Sequence, residues 1–400
     1  MSANAKKTLL ALFACATLAL GASALPAPSA DAANSAAGSP GALKGGGMWI
    51  WYVDSSEKGN VGKIAAKAKA HGIKTLFIKG ADGGNVWSQF SSKLIDAFHA
   101  KGLKVCTWQY VYGSRPKPEA DAAIKAISRG ADCFVIDAET EYEGRYREAA
   151  VYVRRLRSAV GKDYPIGLSG FPYVDYHPSF PYSVFLGPAG AQYNLPQIYW
   201  HTIGDSVDRS FEHTFVFNRV YEAPIRPLGQ VYDNPPARDV SRFRRLAASH
   251  GMSGLSWWSW QSASGKAWKA LTPSEASAIP GYKPTSQYPV IKRKGKNDSG
   301  DLVVWAQMHL VGGGFLSDQK IDGKFGSLEA GAVRALQAAR GLPVTGVIDR
   351  LTWKKLLTYT PYRLTFTSDR AATRSKPGIP VPESADMPAV DYEIPSRGRG

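Results

Sequence analysis

The residues best suited to chemistry stand at the end of one short apolar run, Cys133-Phe134-Val135-Ile136-Asp137-Ala138-Glu139-Thr140-Glu141. Side chains alternate along a strand, so Asp137 and Glu139 point the same way. Cys133 and Val135 share that face, and Phe134, Ile136 and Ala138 take the other. Two carboxyls held side by side resist ionising together, and one keeps its proton to a higher pH. A proton-bearing carboxyl is what cleavage of a glycosidic bond requires of its general acid. The blander alternative is an ion pair of these acids with Lys79. Glu141 reads as a surface acid, the alternative being an acid that supports the pair from behind, and Asp82, within Gly80-Ala81-Asp82-Gly83-Gly84, reads as a turn former. Asp233 is either an extra substrate contact or a turn former ahead of Pro235-Pro236. The seven histidines form no H-E-x-x-H motif and no close ligand pair, so no metal or other cofactor is expected and a metal-dependent peptidase or amidase fits poorly.

Such a pair needs a rigid rim. Apolar strand-like runs recur at 48–53, 73–78, 103–112, 133–138, 165–169, 195–200, 227–232 and 252–260. Helical periodicity fills 61–71, 92–101, 119–129, 146–160 and 239–250. Four of those helices end on a cation followed by glycine: His71-Gly72, Lys101-Gly102, Arg129-Gly130 and His250-Gly251. Glycine supplies the left-handed C′ residue, and the cation suits the negative helix end. Eight strands in this repeat, without a G-x-G-x-x-G fingerprint, predict an α/β fold, a (β/α)8 TIM barrel over 47–272 with chemistry at the C-terminal strand ends, a doubly wound open sheet being the alternative. Aromatics gather there: Trp51, Tyr52, Trp108, Tyr110, Tyr199, Trp200, Trp257, Trp258 and Trp260. About half are expected in the core and half at the mouth, where flat rings stack on sugars. Cys106 and Cys133 both fall in strands; two buried free thiols are the default, and a bridge between neighbouring strands is the alternative.

The Asp137-x-Glu139 strand resembles the D-x-E signature of chitinase-like and lysozyme-like glycosidase barrels. That resemblance implies Glu139 as the acid and Asp137 as the helper that orients a substrate N-acetyl group. It also implies substrate contacts from Gln197 and Tyr199 at the sixth strand end and a sugar-site floor of Trp257 and Trp258 on the last strand. The longer acidic run of chitinases is incomplete, since Val135 stands two positions before Asp137. Asp54 occupies the place of the first-strand acid of lysozyme-like barrels, without matching neighbours.

Towards the C-terminus, Val304-Trp305-Ala306-Gln307, Asp322-Gly323-Lys324-Phe325-Gly326, Ala335-Leu336-Gln337, Thr345-Gly346-Val347-Ile348-Asp349 and Thr352-Trp353 follow in order. This order resembles the peptidoglycan-binding domain of bacterial wall enzymes, implying a small three-helix module over 298–358. Gln307 and Gln337 hold equivalent places in two half-repeats, while Thr345 stands where the family has Asp, and Asp349 where it has Gly. Residues 273–297 read as a linker and 359–400 as a disordered tail. Residues 1–24 read as a signal peptide, with Lys6 and Lys7 before a short apolar stretch and Ala22-Ser23-Ala24 as cleavage site, and 25–46 as a flexible lead-in. No segment is long and apolar enough for a membrane span. A net charge of +16 suits polyanionic surroundings, and export selects wall polymers over nucleic acid. The expectation is a secreted, cell-wall-associated glycoside hydrolase acting on N-acetylated glycan such as peptidoglycan, with anionic wall polymers as further partners. The alternative is a non-catalytic glycan-binding protein with the same barrel.

Overall fold

The computed structural model describes residues 38, 40–272 and 276–366. The expected signal peptide, most of the lead-in and nearly all of the expected tail lie outside the described residues.

The strands are β1 (Gly45–Ile50), β2 (Ile73–Asp82), β3 (Asn85–Val86), β4 (Lys104–Val111), β5 (Cys133–Ala138), β6 (Ile166–Gly170), β7 (Tyr193–Ile198), β8 (Leu228–Gln230) and β9 (Gly254–Trp258). They run in the order β1-β9-β8-β7-β6-β5-β4-β2-β3, and β1 also pairs with β2, which closes the sheet. Every pairing is parallel except the β2–β3 hairpin. Removing that hairpin arm leaves eight parallel strands in a closed barrel, with β5 as its fourth member.

Around the barrel run α1 (Val61–Ala70), α2 (Ser92–His99), α3 (Pro116–Ile127), α4 (Tyr146–Val160), α5 (Tyr182–Phe185), α6 (Trp200–Ile203), α7 (Val207–Asn218), α8 (Ala237–Ser249) and α9 (Gly265–Ala270). Asn60 and Ser91 start α1 and α2 by accepting from the amides of Lys63 and Leu94, which would otherwise be orphaned. Gly72, Gly102, Gly130 and Gly251 all hold positive φ, as the repeated helix–Gly–strand junction requires.

Strand alternation divides the core into two layers. Phe134, Ile136 and Ala138 pack outward with Tyr152 and Leu156 of α4. Cys133, Val135, Cys106, Trp108, Trp49 and Phe77 fill the interior. Each fully buried large side chain contributes about 1.5–3 kcal/mol. Ala42 and Leu43, just before β1, are buried with that interior layer, and Thr75 Oγ1 donates to the Ala42 carbonyl at 2.6 Å. The free-thiol default for the cysteines is corrected. Cys106 and Cys133 face each other in the β4–β5 register with Cα atoms 4.5 Å apart, and they form a disulfide.

The C-terminal module is α10 (Asp301–Gly312), α11 (Ser327–Ala339) and α12 (Arg350–Leu356). Its two half-repeats use one device. Gln307 accepts from the amides of Asp322 and Gly323 and donates to the Lys324 carbonyl, clamping the first glycine turn. Gln337 accepts from Thr345 and Gly346 and donates to the Val347 carbonyl, clamping the second. Thr345 Oγ1 receives the Val347 amide, as the Asp322 carboxylate receives that of Lys324, so the hydroxyl does the carboxylate's local work. Asp349 caps α12 through the Thr352 amide at 2.9 Å.

Helix α10 is buried on all sides from Asp301 to Leu310 because it packs against the module on one side and the barrel on the other. Asp301 accepts from Ser183 N (2.9 Å), Ser183 Oγ (2.6 Å) and Tyr221 OH (2.7 Å). Trp305 Nε1 donates to the Val220 carbonyl at 2.7 Å. Within the stretch ahead of α10, Ile291 is buried and bridges to Ile348, and Trp353 Nε1 donates to the Pro289 carbonyl.

Candidate active site

Parallel strands bring their C-terminal ends to one rim, where β5 delivers Asp137 as a buried residue and Glu139 as a half-buried one. Gln197, near the end of β7, lies between them. Its Nε2 is 3.0 Å from Asp137 Oδ1, 3.0 Å from Glu139 Oε1 and 3.2 Å from Ser169 Oγ on β6. An amide nitrogen has two hydrogens, so three acceptors must share them. One side chain therefore orients both carboxyls.

Electrostatics separate the two acids from ordinary surface carboxylates. Burial pushes Glu139 up to about 7; the Gln197 hydrogen bond opposes this, and the Glu141 charge reinforces it. Burial, then the neighbouring Glu139, also raises Asp137, while the Lys79 charge and Ser169 hold it down. Glu139 is thus able to carry a proton near neutral pH.

The alternative pairing of the two acids with Lys79 is not formed. The Lys79 ammonium pairs with Asp82 Oδ2 at 2.6 Å, not with Asp137 or Glu139. It sits 3.9, 4.7 and 4.9 Å from the ring centroids of Trp51, Trp87 and Trp108, with the side chain 1% exposed. Three indole faces substitute for part of its lost hydration. Asp82 therefore closes β2 as an ion-pair partner that also accepts from Tyr112 OH at 2.9 Å, which adds to its expected turn role. Glu141 is also corrected from a surface acid: it is half-buried and accepts from Tyr110 OH at 2.8 and 3.0 Å. Asp54 lies exposed in the turn after β1.

Of the expected sugar-stacking pair, Trp258 faces the interior, 5.3 Å from Trp108 and 5.7 Å from Trp51 between ring centroids. Trp257 points the opposite way, is 2% exposed and packs 5.1 Å from Phe243 of α8, as adjacent strand residues must. Trp257 is a core residue. Tyr199 is buried just beyond β7, edge-on to Tyr232 at 5.4 Å. Asp233 occupies a left-handed turn with φ 57°, its side chain 66% exposed and its carboxylate 3.9 Å from His201 Nε2. Ser169 and the Lys79 cage were absent from the sequence expectation, and Tyr110 stood in it only as one of the strand-end aromatics; strand alternation from Trp108 and Gly167 would have aimed Tyr110 and Ser169 inward. Among the described residues no three His, Cys, Asp or Glu side chains are grouped to hold a metal ion.

The closed parallel barrel, with two carboxyls joined through one amide at its rim, is a TIM barrel joined to a helical module. Residues 299–356 match the family model described as "Putative peptidoglycan binding domain", so the chain carries that domain. No curated protein matches the chain in sequence. Among solved structures, the chain is similar to the spore cortex-lytic enzyme SleL of Bacillus cereus, with 11% identity over 60% of this chain and 76% of that one and a TM-score of 0.45. It is also similar to a class V chitinase of Pseudomonas fluorescens Pf-5, with 10% identity over 58% and 99% of the two chains and a TM-score of 0.45. A chitinase of Bacteroides thetaiotaomicron gives 9% identity over 58% and 96%, with a TM-score of 0.44.

Proposed function

We propose that this chain is a wall-directed glycoside hydrolase acting on N-acetylated glycan such as peptidoglycan. The observation that carries this reading is the single amide of Gln197 joined to both Asp137 and Glu139 at the barrel mouth, with Glu139 pushed up to about 7. Glu139 gives its proton to the leaving oxygen as the glycosidic C–O bond breaks. The carbonyl oxygen of the substrate's own N-acetyl group, oriented by Asp137, closes on the sugar carbon. Water then opens that intermediate and returns the proton to Glu139. Trp258, with Trp51 beside it, offers an apolar face for the sugar ring, and Tyr199 backs the site.

The matched binding domain supports wall glycan as the partner. The Cys106–Cys133 bridge suits an oxidising compartment, which supports export. Reducing-end release from purified walls tests the proposal. Glu139→Gln is expected to lose about 10²–10⁴-fold in rate while wall sedimentation stays unchanged. Release at the wild-type rate by that variant removes Glu139 from the role. No release by the unaltered chain from any wall glycan makes the barrel a binder.

A further inference from the structure

A cavity of about 570 Å³ opens between the C-terminal half of α4, the loop from α5 to β7, the stretch ahead of β8, and the chain beyond α12. The loop and the stretch ahead of β8 lead into strand starts, so the cavity lies towards the rim opposite Asp137 and Glu139. Its size falls within the range of small-ligand sites.

Four cations line it, Arg154, Arg157, Lys162 and Arg363, against one acid, Glu222. Arg157 is fixed in the wall: it donates to the carbonyls of Gly190 (2.8 and 3.0 Å), Tyr164 (2.7 Å) and Gly161 (3.1 Å), and to Gln192. Arg154 and Arg363 have no partner among the described residues, and both are exposed. Lys162 meets only its neighbour Asp163, and that pair is almost wholly in water. Leu186, Ala189 and Pro224 supply apolar floor. Ala189 (φ 64°) and Glu222 (φ 58°) both hold left-handed backbone at the lining, a conformation that non-glycine residues adopt at a cost and that clusters at ligand sites.

We propose that this cavity binds the phosphodiester groups of an anionic polymer. Arginine forks match phosphate oxygens in pairs, and a phosphodiester stays charged at every physiological pH. The carbon segments between successive phosphates fit the apolar floor. Glu222 excludes a second anion from its edge and accepts a polymer hydroxyl. No residue of the barrel mouth or of residues 299–356 lines the cavity.

The test is calorimetric titration of the full chain with poly(glycerol phosphate). One variant reverses the unpaired rim: Arg154→Glu, Lys162→Glu and Arg363→Glu. A control makes the same charge change on exposed residues of α1, α2 and α3: Lys63→Glu, Lys93→Glu and Lys125→Glu. Thermal melts check that both fold. The control is expected to bind as the unaltered chain does, and the rim variant at least about tenfold more weakly. Inorganic phosphate is expected to compete where sodium chloride of equal ionic strength does not. Equal loss in both variants, no loss in the rim variant, no binding by the unaltered chain, or competition no better than sodium chloride overturns the proposal. So does equally tight binding of polygalacturonate, a carboxylate polymer.

Discussion

Replacing Glu139 with Gln is expected to stabilise the fold, and by an amount that depends on pH. In the unfolded chain a glutamate ionises near 4.5, whereas burial beside Glu141 carries Glu139 to about 7. The native state therefore holds this proton more tightly than the unfolded state does, and stability is lost as pH rises between those values. The loss is fully developed above 7 and amounts to about 3 kcal/mol. Near pH 5.5 it is less than half as large, and well below 4.5 it fades because both states are protonated. Glutamine cannot ionise, keeps nearly the same shape and still presents an oxygen to Gln197 Nε2, so the variant escapes the penalty without opening a cavity. Relief of the like charge felt by Asp137 acts in the same direction. Urea unfolding of both proteins from pH 4 to pH 8.5 measures the gap, and needs no substrate. A variant less stable than wild type at pH 8, or a gap that does not change with pH, refutes the burial of an ionisable acid at this position. The same raised value places the decline of wall-glycan release on the alkaline side of about 7.

Other parts of the molecule give sharp expectations. Lys79→Met removes the cation that favours the Asp137 carboxylate, so the acidic limb of the pH–rate profile should move up by about one pH unit; an unmoved limb would separate Lys79 from the site. The Cys106→Ala/Cys133→Ala variant frees a 27-residue loop in the unfolded chain, and chemical denaturation should register a loss of about 3.5 kcal/mol. Asp301→Ala strands Ser183 and Tyr221 without their buried acceptor, at about 3 kcal/mol. Limited proteolysis should then cut within 276–299 faster than in wild type, and unchanged cutting would deny Asp301 a part in seating the module.

Much of the architecture was legible because it repeats. The alternation around Asp137 assigned inward and outward faces of β5 correctly, and the cation–Gly pairs marked four helix ends. Gln307 and Gln337 could be matched by position, and the structure gives both the same clamp. Helix α7 escaped notice because Val207, Phe211, Thr214 and Phe215 are weak helix formers; Ser206, which caps it, was the available signal. Trp257 and Trp258 could not both floor the mouth, and the pleat should have excluded one of them. The rest was beyond sequence reading for a plain reason. Gln197 meets acids 58 and 60 positions away, and the Lys79 cage is assembled from three separate segments. Such meetings are created by barrel closure, and no local pattern encodes them.

The shared packing around α10 has a mechanical outcome. A catalytic head on a slack tether samples a sphere of targets, and its local concentration falls with tether length. Here α10 is packed into both parts, so under the proposed function the distance from a gripped strand to the rim is set by the fold like the jaws of a caliper. Cuts would then land at a constant offset from the point of attachment, and lengthening the connecting stretch would leave that offset unchanged.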